Sequence, residues 1–509
     1  MQEAAIDRLA GDRPEAQPAG IRGQMPDEGM SHAQSRLGTA FASPAFAMVS
    51  LAVAAILLKL PTLETPAYWD EMGWLRQAHW LSEGSLREAI PGLRPAAAFW
   101  GHPPGLHLIL ATLGKVFGVS LNTAHAIIAV FAALGVCATF LLARYWYGTR
   151  TAWLAAFLLL LSPVYLAQSG MFLADVPVTA LGALATYFVV KDRYAPYVAC
   201  ASCMVLLKET AIVLVVALIL YRFVVLNPFR QARLRDVARH SLPLAVIGAF
   251  ILLQKATTGH FFFIYNFDVE LFQLTPALVR YQFAVITRWI FIDQYRFIFT
   301  ALIVLNLLVN AKARRRELWL CAFVVVLSGY SFSVLYFMPR YLLPVLPLFY
   351  ILAAASILDL ARRPRLQLVA ACAALGMMSW SLMSQPLSTN GETSPRYLDI
   401  VAMHKAAIDR LARDSPDARV LTTWPHTDEL TRPLLGYVLQ PIDAKGFRAE
   451  SDLREADLIL VSQPANGPEV RLRELARTNA WRLILRQEKE SAWIELYARA
   501  NQPAATPSR

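Results

Sequence analysis

Charged residues are scarce in this chain. Of its 509 residues, 17% are charged and 56% are hydrophobic, whereas a soluble domain of this size would carry more charge and a smaller apolar fraction. The low charge therefore argues against a soluble globular protein. The net charge of +11 does not indicate nucleic-acid binding either, because the basic residues are dispersed over short loops between apolar runs.

Cysteine is also rare, and its few positions lie inside or beside apolar runs. Cys200 and Cys203 have CxxC spacing, but neither a second pair nor histidines accompany them. Packing between membrane helices therefore explains them better than a metal or redox site does. No cysteine follows residue 372, so the C-terminal part has no disulfide framework. That part also lacks a GxGxxG motif and a P-loop, so nucleotide binding is not supported.

What the chain has in abundance is long apolar runs through its first three quarters, which indicate an α-helical polytopic membrane protein. Some runs are short and need flanking residues or neighbouring helices to span a bilayer. The runs predict about eleven transmembrane helices, and about thirteen would preserve the same sidedness. They fall near residues 42–60, 122–142, 151–166, 172–190, 195–207, 210–226, 241–256, 286–309, 318–337, 341–360 and 366–384.

Loop charge sets the predicted orientation. Basic residues gather in alternate loops, and such loops stay in the cytoplasm. This places the N-terminus inside and the C-terminus outside, provided that Leu106 to Phe117 does not cross the membrane. That segment is short and opens with His-Pro-Pro-Gly, so we expect a re-entrant or interfacial helix.

Three regions follow from these patterns. Residues 1–40 are polar and without apolar periodicity, and are expected to form a disordered cytoplasmic tail. Residues 41–387 form the membrane domain, whose first helix lies too far from the start for a cleaved signal peptide. Residues 388–509 have the composition of a small α/β domain on the outer side. Its predicted helices are 397–413 and 469–477, and its predicted strands are 420–423, 458–461, 482–486 and 492–497.

The first outer loop, residues 61–104, holds an acidic pair among aromatic residues. Tyr68-Trp69-Asp70-Glu71 is followed by Gly101-His102-Pro103-Pro104-Gly105. A carboxylate held at the membrane surface by aromatic side chains can act as a general base on an acceptor hydroxyl or amine. Solvated loop residues are the alternative for the acidic pair, and a simple turn is the alternative for the His-Pro-Pro segment.

Other polar residues fall on the same predicted side. Asp175 is either functional or a helix-terminal cap, and Lys208-Glu209 is either functional or a self-neutralising ion pair. Arg340 precedes Tyr341 at the mouth of a helix pair, where a guanidinium can bind phosphate by its planar fork. Snorkelling to lipid headgroups is the competing explanation for Arg340. Trp424-Pro425-His426, at the end of a predicted strand, is better explained by structure than by function.

Taken in order, these motifs resemble the GT-C membrane glycosyltransferases. The branch most similar to this chain holds the protein O-mannosyltransferases, the lipid A aminoarabinose transferases and the lipopolysaccharide-core galacturonosyltransferases. The likeness covers roughly residues 44–360. It rests on the acidic pair, His-Pro-Pro-Gly, Ala143-Arg144-Tyr145-Trp146-Tyr147-Gly148, Leu161-Ser162-Pro163, Asp175, Lys208-Glu209-Thr210 and Arg340-Tyr341-Leu342-Leu343-Pro344.

The resemblance implies transfer of a sugar from a polyprenyl-phosphate donor with inversion at the anomeric carbon. Asp70 would be the base or a ligand near the acceptor, while Lys208 and Arg340 would neutralise the leaving phosphate. Some members of the group use a divalent cation and others do not, so metal use is open. The candidate residues are Asp70, Glu71 and Asp175 for catalysis and His102, Lys208, Glu209, Arg340 and Tyr341 for substrate binding.

The hypothesis is therefore a multi-pass glycosyltransferase of a bacterial inner membrane, acting at its outer face on a lipid, glycan or protein acceptor. A transporter or flippase of lipid-linked sugar is the first alternative. Transporters tend to have an internal repeat and charges near the midplane, and this chain shows no repeat and gathers its charges at one face. A non-catalytic subunit of envelope assembly is the second alternative.

Overall fold

The computed structural model describes residues 43–90, 102–226, 234–259, 261, 275–310, 315–334, 337–387, 391–463, 467–478 and 481–500. The chain divides into two units, Met1–Phe46 and Ala47–Arg509. The predicted tail 1–40 lies outside the described residues, and so do residues 91–101 of the predicted first outer loop.

Helices dominate the described part of the chain, and the strands are confined to its C-terminal part. The helices are α1 (Pro44–Leu57), α2 (Glu71–Glu83), α3 (Gly105–Phe117), α4 (Leu121–Tyr147), α5 (Thr149–Leu160), α6 (Pro163–Gln168), α7 (Asp175–Val190), α8 (Tyr194–Leu207), α9 (Ile212–Leu220), α10 (Leu234–His240), α11 (Leu242–Thr258), α12 (Pro276–Phe291), α13 (Arg296–Val309), α14 (Arg315–Val334), α15 (Leu346–Leu360), α16 (Pro364–Ser384), α17 (Tyr397–Asp414), α18 (His426–Thr431) and α19 (Gly467–Thr478). The strands are β1 (Val420–Thr422), β2 (Ala444–Gly446), β3 (Leu458–Ser462), β4 (Trp481–Lys489) and β5 (Ala492–Arg499).

Several helices are long and apolar enough to cross a membrane. By length and composition, the described residues contain five such helical segments, and a sixth if the bent pair α12–α13 is counted as one span. Five shorter apolar helices, α3, α5, α7, α8 and α11, accompany them. The chain is therefore a helical membrane protein as predicted, while the number of about eleven spans stays a prediction.

The run predicted as one segment at 286–309 is instead broken into two helices. The axes of α12 and α13 differ by 83°, and both Gln294 and Tyr295 between them have left-handed backbone. Arg296 explains the break, because its fully buried side chain donates to the carbonyl oxygens of Trp289 and Ile290 at the end of α12. A cation that satisfies the last carbonyls of a helix stabilises its end.

The helices α2 and α3 pair with each other after the first membrane helix. Lys115 of α3 donates to the carbonyl oxygens of Ser82 and Gly84 at the end of α2, at 2.8 and 3.0 Å. At the other end of α3, a Cβ on Gly105 would lie 2.5 Å from the carbonyl oxygen of Leu206. Only glycine permits this close approach of α3 to the end of α8.

The C-terminal part forms a mixed five-stranded sheet in the order β2-β1-β3-β5-β4. The strand β1 is parallel to β2 and β3, and β5 is antiparallel to β3 and β4. The predicted helices and strands of this region are confirmed, and α17 buries one face, which includes Ile400, Val401, His404, Ile408 and Leu411. The short elements β2 and α18 were not predicted.

The C-terminal part packs directly on the predicted first outer loop. The backbone N–H of Ala67 donates to the carbonyl oxygen of Leu435 at 3.0 Å, and Arg76 of α2 pairs with Asp428 of α18 at 3.2 Å. Gly436 has φ +84°, and a Cβ there would lie 2.7 Å from Leu121. Glycine is therefore required for this turn to approach the membrane helices so closely.

Candidate active site

Three carboxylates converge on the guanidinium of Arg340. This residue lies in the short 3₁₀ segment Pro339–Val345 that leads into α15, and it is buried. Its Nη2 donates to Asp70 Oδ2 and its Nη1 donates to Glu392 Oε2. Its Nε lies 3.5 Å from Asp175 Oδ2. The structure thus brings together residues from the predicted first outer loop, the 3₁₀ segment before α15, the start of α7 and the segment after α16.

Lys208 supplies the second cation of the cluster. Its Nζ donates to Asp175 Oδ1 at 2.7 Å and lies 3.9 Å from the centre of the Tyr341 ring. Both members of the ion pair are buried, and removing either partner of such a pair leaves an uncompensated charge inside the protein. Asp175 therefore bridges the two cations. Both the ion pair and the cation–π contact fix the lysine above the aromatic ring.

The charges of this cluster do not cancel. Two cations, Lys208 and Arg340, face three carboxylates, those of Asp70, Asp175 and Glu392. With all five groups ionised, one negative charge is left over.

Asp70 is the most accessible of the five side chains, at 25% exposed against 9% or less for the others. The residue before it, Trp69, has φ +53°, which costs a non-glycine residue on the order of 1–3 kcal/mol. The ring of Trp69 meets that of Trp424 edge-on at 4.8 Å. This contact with the C-terminal part helps to hold the strained backbone that presents Asp70.

Glu71 occupies a different place from its neighbour in sequence. It is 1% exposed, and its carboxylate accepts from the backbone N–H groups of Phe172 and Tyr68 at 2.6 and 3.1 Å. Its Oε1 also lies 2.7 Å from Nε2 of His125, whose Nδ1 is 2.8 Å from the carbonyl oxygen of Leu63. These contacts connect the start of α2 to α4 and to the segment before α7.

His102 and Glu209 form a second polar pair next to Lys208. The two side chains are 2.9 Å apart and about one-fifth exposed. The imidazole of His102 stacks on Trp74 of α2 at 5.3 Å between ring centres, and Trp74 stacks in turn on His107 at 4.5 Å. The His-Pro-Pro-Gly segment therefore both turns the chain into α3 and places an imidazole beside Glu209.

Glu392 is the member of the cluster that was not predicted. It lies in the short turn Gly391–Thr393, after the last apolar run and before the first C-terminal helix. A single glutamate in such a turn has no motif around it. The predicted topology was the only available signal, because it places the segment after the 366–384 run on the same side as Asp70 and Arg340.

Within the described part of the chain, one group of side chains has the composition and spacing of a metal site. His404, His426 and Glu429 are all buried in the C-terminal part. Hydrogen bonds already connect them: His404 Nδ1 and His426 Nδ1 lie 3.0 and 2.5 Å from the two oxygens of Glu429, and His426 Nε2 lies 2.7 Å from Ser462 Oγ. Burial opposes the ionised form of Glu429, but the two histidines lower the pKa of this carboxyl to about 2.

Comparison with known proteins bears on the fold. Residues 101–254 match the family model described as Dolichyl-phosphate-mannose-protein mannosyltransferase. Searching the curated proteins gave no significant match.

Solved structures with the same fold include ArnT from Cupriavidus metallidurans. Its apo structure has 15% sequence identity to this chain and a TM-score of 0.55. The alignment covers 92% of this chain and 100% of the ArnT chain. The structure bound to undecaprenyl phosphate is 13% identical, with a TM-score of 0.53 over 90% and 99% of the two chains. An Archaeoglobus fulgidus oligosaccharyltransferase in complex with Zn and sulfate is 14% identical, with a TM-score of 0.51 over 81% and 67%.

The chain therefore has the GT-C fold, and the resemblance to the GT-C membrane glycosyltransferases predicted from the sequence is confirmed.

Proposed function

We propose that this protein is a glycosyltransferase that moves a sugar from a polyprenyl phosphate to a cell-envelope acceptor at the outer face of a bacterial inner membrane. The observation that carries the proposal is the cluster in which Arg340 and Lys208 meet Asp70 and Asp175. This cluster combines two cations that can bind a phosphate with a carboxylate that is accessible to an acceptor. That ArnT, a protein of the same fold, has been solved bound to undecaprenyl phosphate supports the class of donor.

The donor phosphate is the proposed ligand of Arg340 and Lys208. A guanidinium offers a planar fork to phosphate oxygens, and an ammonium adds a point charge. When the bond from the anomeric carbon to the phosphate oxygen breaks, its electron pair stays on the phosphate. Buried, preorganised cations stabilise that developing charge more strongly than water does.

Asp70 is the proposed proton acceptor. Its Oδ2 is committed to Arg340, whereas none of the hydrogen bonds between described residues involves Oδ1 of this carboxylate. An acceptor hydroxyl or amine that approaches Oδ1 would form a bond to the anomeric carbon and pass its proton to the carboxylate. Attack opposite the leaving phosphate would invert the anomeric centre.

The other predicted residues fit supporting roles. The contacts of Glu71 support positioning of the loop that carries Asp70, because its three partners lie on separate parts of the chain. Asp175 would hold Lys208 and Arg340 at a fixed separation. His102 and Glu209, which are partly exposed, would contact the donor or the acceptor beside Lys208.

The arrangement of the chain in the membrane is part of the proposal. The N-terminal tail 1–40 would lie in the cytoplasm, and the membrane domain 41–387 would carry the site on its outer loops. Residues 388–509 would form the periplasmic domain. Its packing against the loop at Ala67 and Trp69 supports a place for it beside the acceptor.

The test is radiolabel transfer by purified protein in nanodiscs. A panel of polyprenyl-phosphate sugars would be offered with lipid, glycan and peptide acceptors to the wild type and to Asp70→Asn. Asn has the shape of Asp but a far weaker basicity, so transfer should fall at least about a hundredfold. Asp192→Asn is the matched control, because Asp192 is 75% exposed and pairs only with Arg222 among the described residues.

Transfer by the wild type and the control but not by Asp70→Asn would support the proposal and identify donor and acceptor together. Full turnover by a folded Asp70→Asn protein would remove the role of Asp70. Movement of lipid-linked sugar across liposomes, without transfer to any acceptor, would replace the enzyme by a flippase.

A further inference from the structure

Glu392 is held at the proposed donor site by contacts on both sides of its turn. Its own carbonyl oxygen accepts from Gln168 Nε2 at 2.7 Å, and the carbonyl oxygen of Thr393 accepts from Gln294 Nε2 at 2.8 Å. The first amide comes from the last residue of the short helix α6, and the second comes from the break between α12 and α13. The position of the Glu392 carboxylate against Arg340 is therefore built into the fold.

Only one oxygen of this carboxylate is paired. Oε2 accepts from Arg340, while Oε1 is buried and without a hydrogen-bond donor among the described residues. Glu392 as a whole is 7% exposed. A buried carboxylate oxygen without a donor is costly, and each such group in a native structure calls for a specific explanation.

The negative charge of the cluster also opposes binding of an anionic donor. With all five groups ionised, the cluster carries one excess negative charge before any ligand arrives, and a sugar phosphodiester would add another. Both terminal nitrogens of Arg340 are also occupied, Nη2 by Asp70 and Nη1 by Glu392. Each terminal nitrogen keeps a second N–H, but a phosphate that binds there would lie against a carboxylate of the same charge, so its binding is favoured when one of these carboxylates moves away.

Glu392 is the carboxylate best placed to move away from Arg340. Asp175 is anchored by Lys208 at 2.7 Å, and Asp70 is the accessible group that faces the acceptor in the proposed reaction. The only ion pair of the Glu392 side chain in the described part of the chain is the one with Arg340.

We propose that Glu392 is a positioning residue that occupies Nη1 of Arg340 in the donor-free protein and yields this nitrogen to the donor phosphate. After transfer, the lipid phosphate stays on Arg340 as the product. The return of Glu392 to Nη1 competes with that phosphate and promotes its release. This inference rests on the proposed function, because it takes a polyprenyl phosphate as the ligand.

Removing the charge should therefore tighten binding and slow turnover together. Glu392→Gln keeps the size of the side chain and a carbonyl that Nη1 can contact, but it removes the competing charge. We expect the Kd for undecaprenyl phosphate to fall at least tenfold, which corresponds to about 1.4 kcal/mol. Both KM for the donor and kcat should fall, because the product leaves more slowly. A merely structural role would weaken binding instead.

The experiment measures binding of undecaprenyl phosphate to purified protein in nanodiscs by a tryptophan-fluorescence titration. The control is Glu490→Gln, which removes a carboxylate from Arg396 instead, at 2.6 Å in the wild type and far more exposed. The control should bind like the wild type. Glu392→Asp, which keeps the charge, should also bind more weakly than the Gln variant.

Each outcome decides between the alternatives. An unchanged or raised Kd in a Glu392→Gln protein that melts like the wild type would overturn the inference and leave the proposed function standing. If the wild type itself fails to bind undecaprenyl phosphate, the inference and the proposed donor both fall. Should the Gln variant not fold, Glu392→Ala compared with Glu392→Asp decides the same point, and equal affinity in these two would refute the inference.

Discussion

Replacing Arg340 tests the centre of the proposed site. Alanine is the wrong probe, because it leaves the buried carboxylates of Asp175 and Glu392 without their guanidinium. Breaking a buried pair in this way typically costs about 3–5 kcal/mol, enough to unfold the protein and hide any effect on binding. Arg340→Lys keeps the charge and loses the planar fork, so it isolates the geometry of the contact.

The size of the effect follows from the contacts. In the structure one guanidinium reaches both Asp70 and Glu392 through separate nitrogens, whereas an ammonium carries its three N–H donors on a single nitrogen and has no planar fork. The donor phosphate should lose one charge-assisted hydrogen bond, worth about 1.5–3 kcal/mol. Affinity for undecaprenyl phosphate should therefore fall by roughly ten- to hundredfold. Transfer should fall by at least as much, because the contact strengthens as the phosphate leaves.

The assay is the nanodisc titration with undecaprenyl phosphate, followed by transfer kinetics. Arg396→Lys is the matched control, since Arg396 pairs with Asp399 and Glu490 in the C-terminal part and should tolerate the change. A folded Arg340→Lys protein with wild-type affinity for the lipid phosphate would refute the phosphate role. The reasoning about charge in this cluster would then have to be abandoned.

Two further predictions concern stability. Glu71→Gln replaces a buried carboxylate that accepts from Phe172, Tyr68 and His125 with an amide that cannot accept from all three. The free energy of unfolding should therefore fall by about 2–3 kcal/mol, which lowers the melting temperature. An unchanged melting temperature would contradict this hydrogen-bond network. Burial lowers the pKa of His426, and its neighbours lower the pKa of Glu429 to about 2, so both groups bind fewer protons in the folded state than in the unfolded state. Stability should therefore fall as the pH drops below 6.5 and again between 4.5 and about 2, and a melting temperature that stays flat down to pH 4 would refute this.

Local sequence pattern predicted the C-terminal elements well. The helix α17 has a strong 3.6-residue period, and β1, β3 and β5 are short apolar runs that the sheet buries. The three-residue strand β2 was missed because Ala444–Gly446 has no apolar alternation. Its strand conformation comes from pairing with β1, which is a tertiary contact.

Hydropathy alone merged helices that the structure separates. The run at 286–309 stays apolar on average, so the break between α12 and α13 is invisible to it. The bend depends on Arg296, whose guanidinium turns back onto carbonyl oxygens of α12. The available sign of this break in the sequence was a charged residue, Arg296, inside an apolar run.

The sequence by itself determined that this is a helical membrane protein, since the hydrophobic effect acts on average composition, while the sidedness inferred from loop charge stays a prediction. Motif order was enough to predict the GT-C resemblance and most of the candidate residues. Only the tertiary structure decided which of them meet. Asp70 and Arg340 are 270 positions apart, Glu71 turns away from Asp70 into the protein, and Glu392 enters the cluster without a motif. Ion pairing depends on distance and burial, and these arise only when the segments that carry these residues pack against one another.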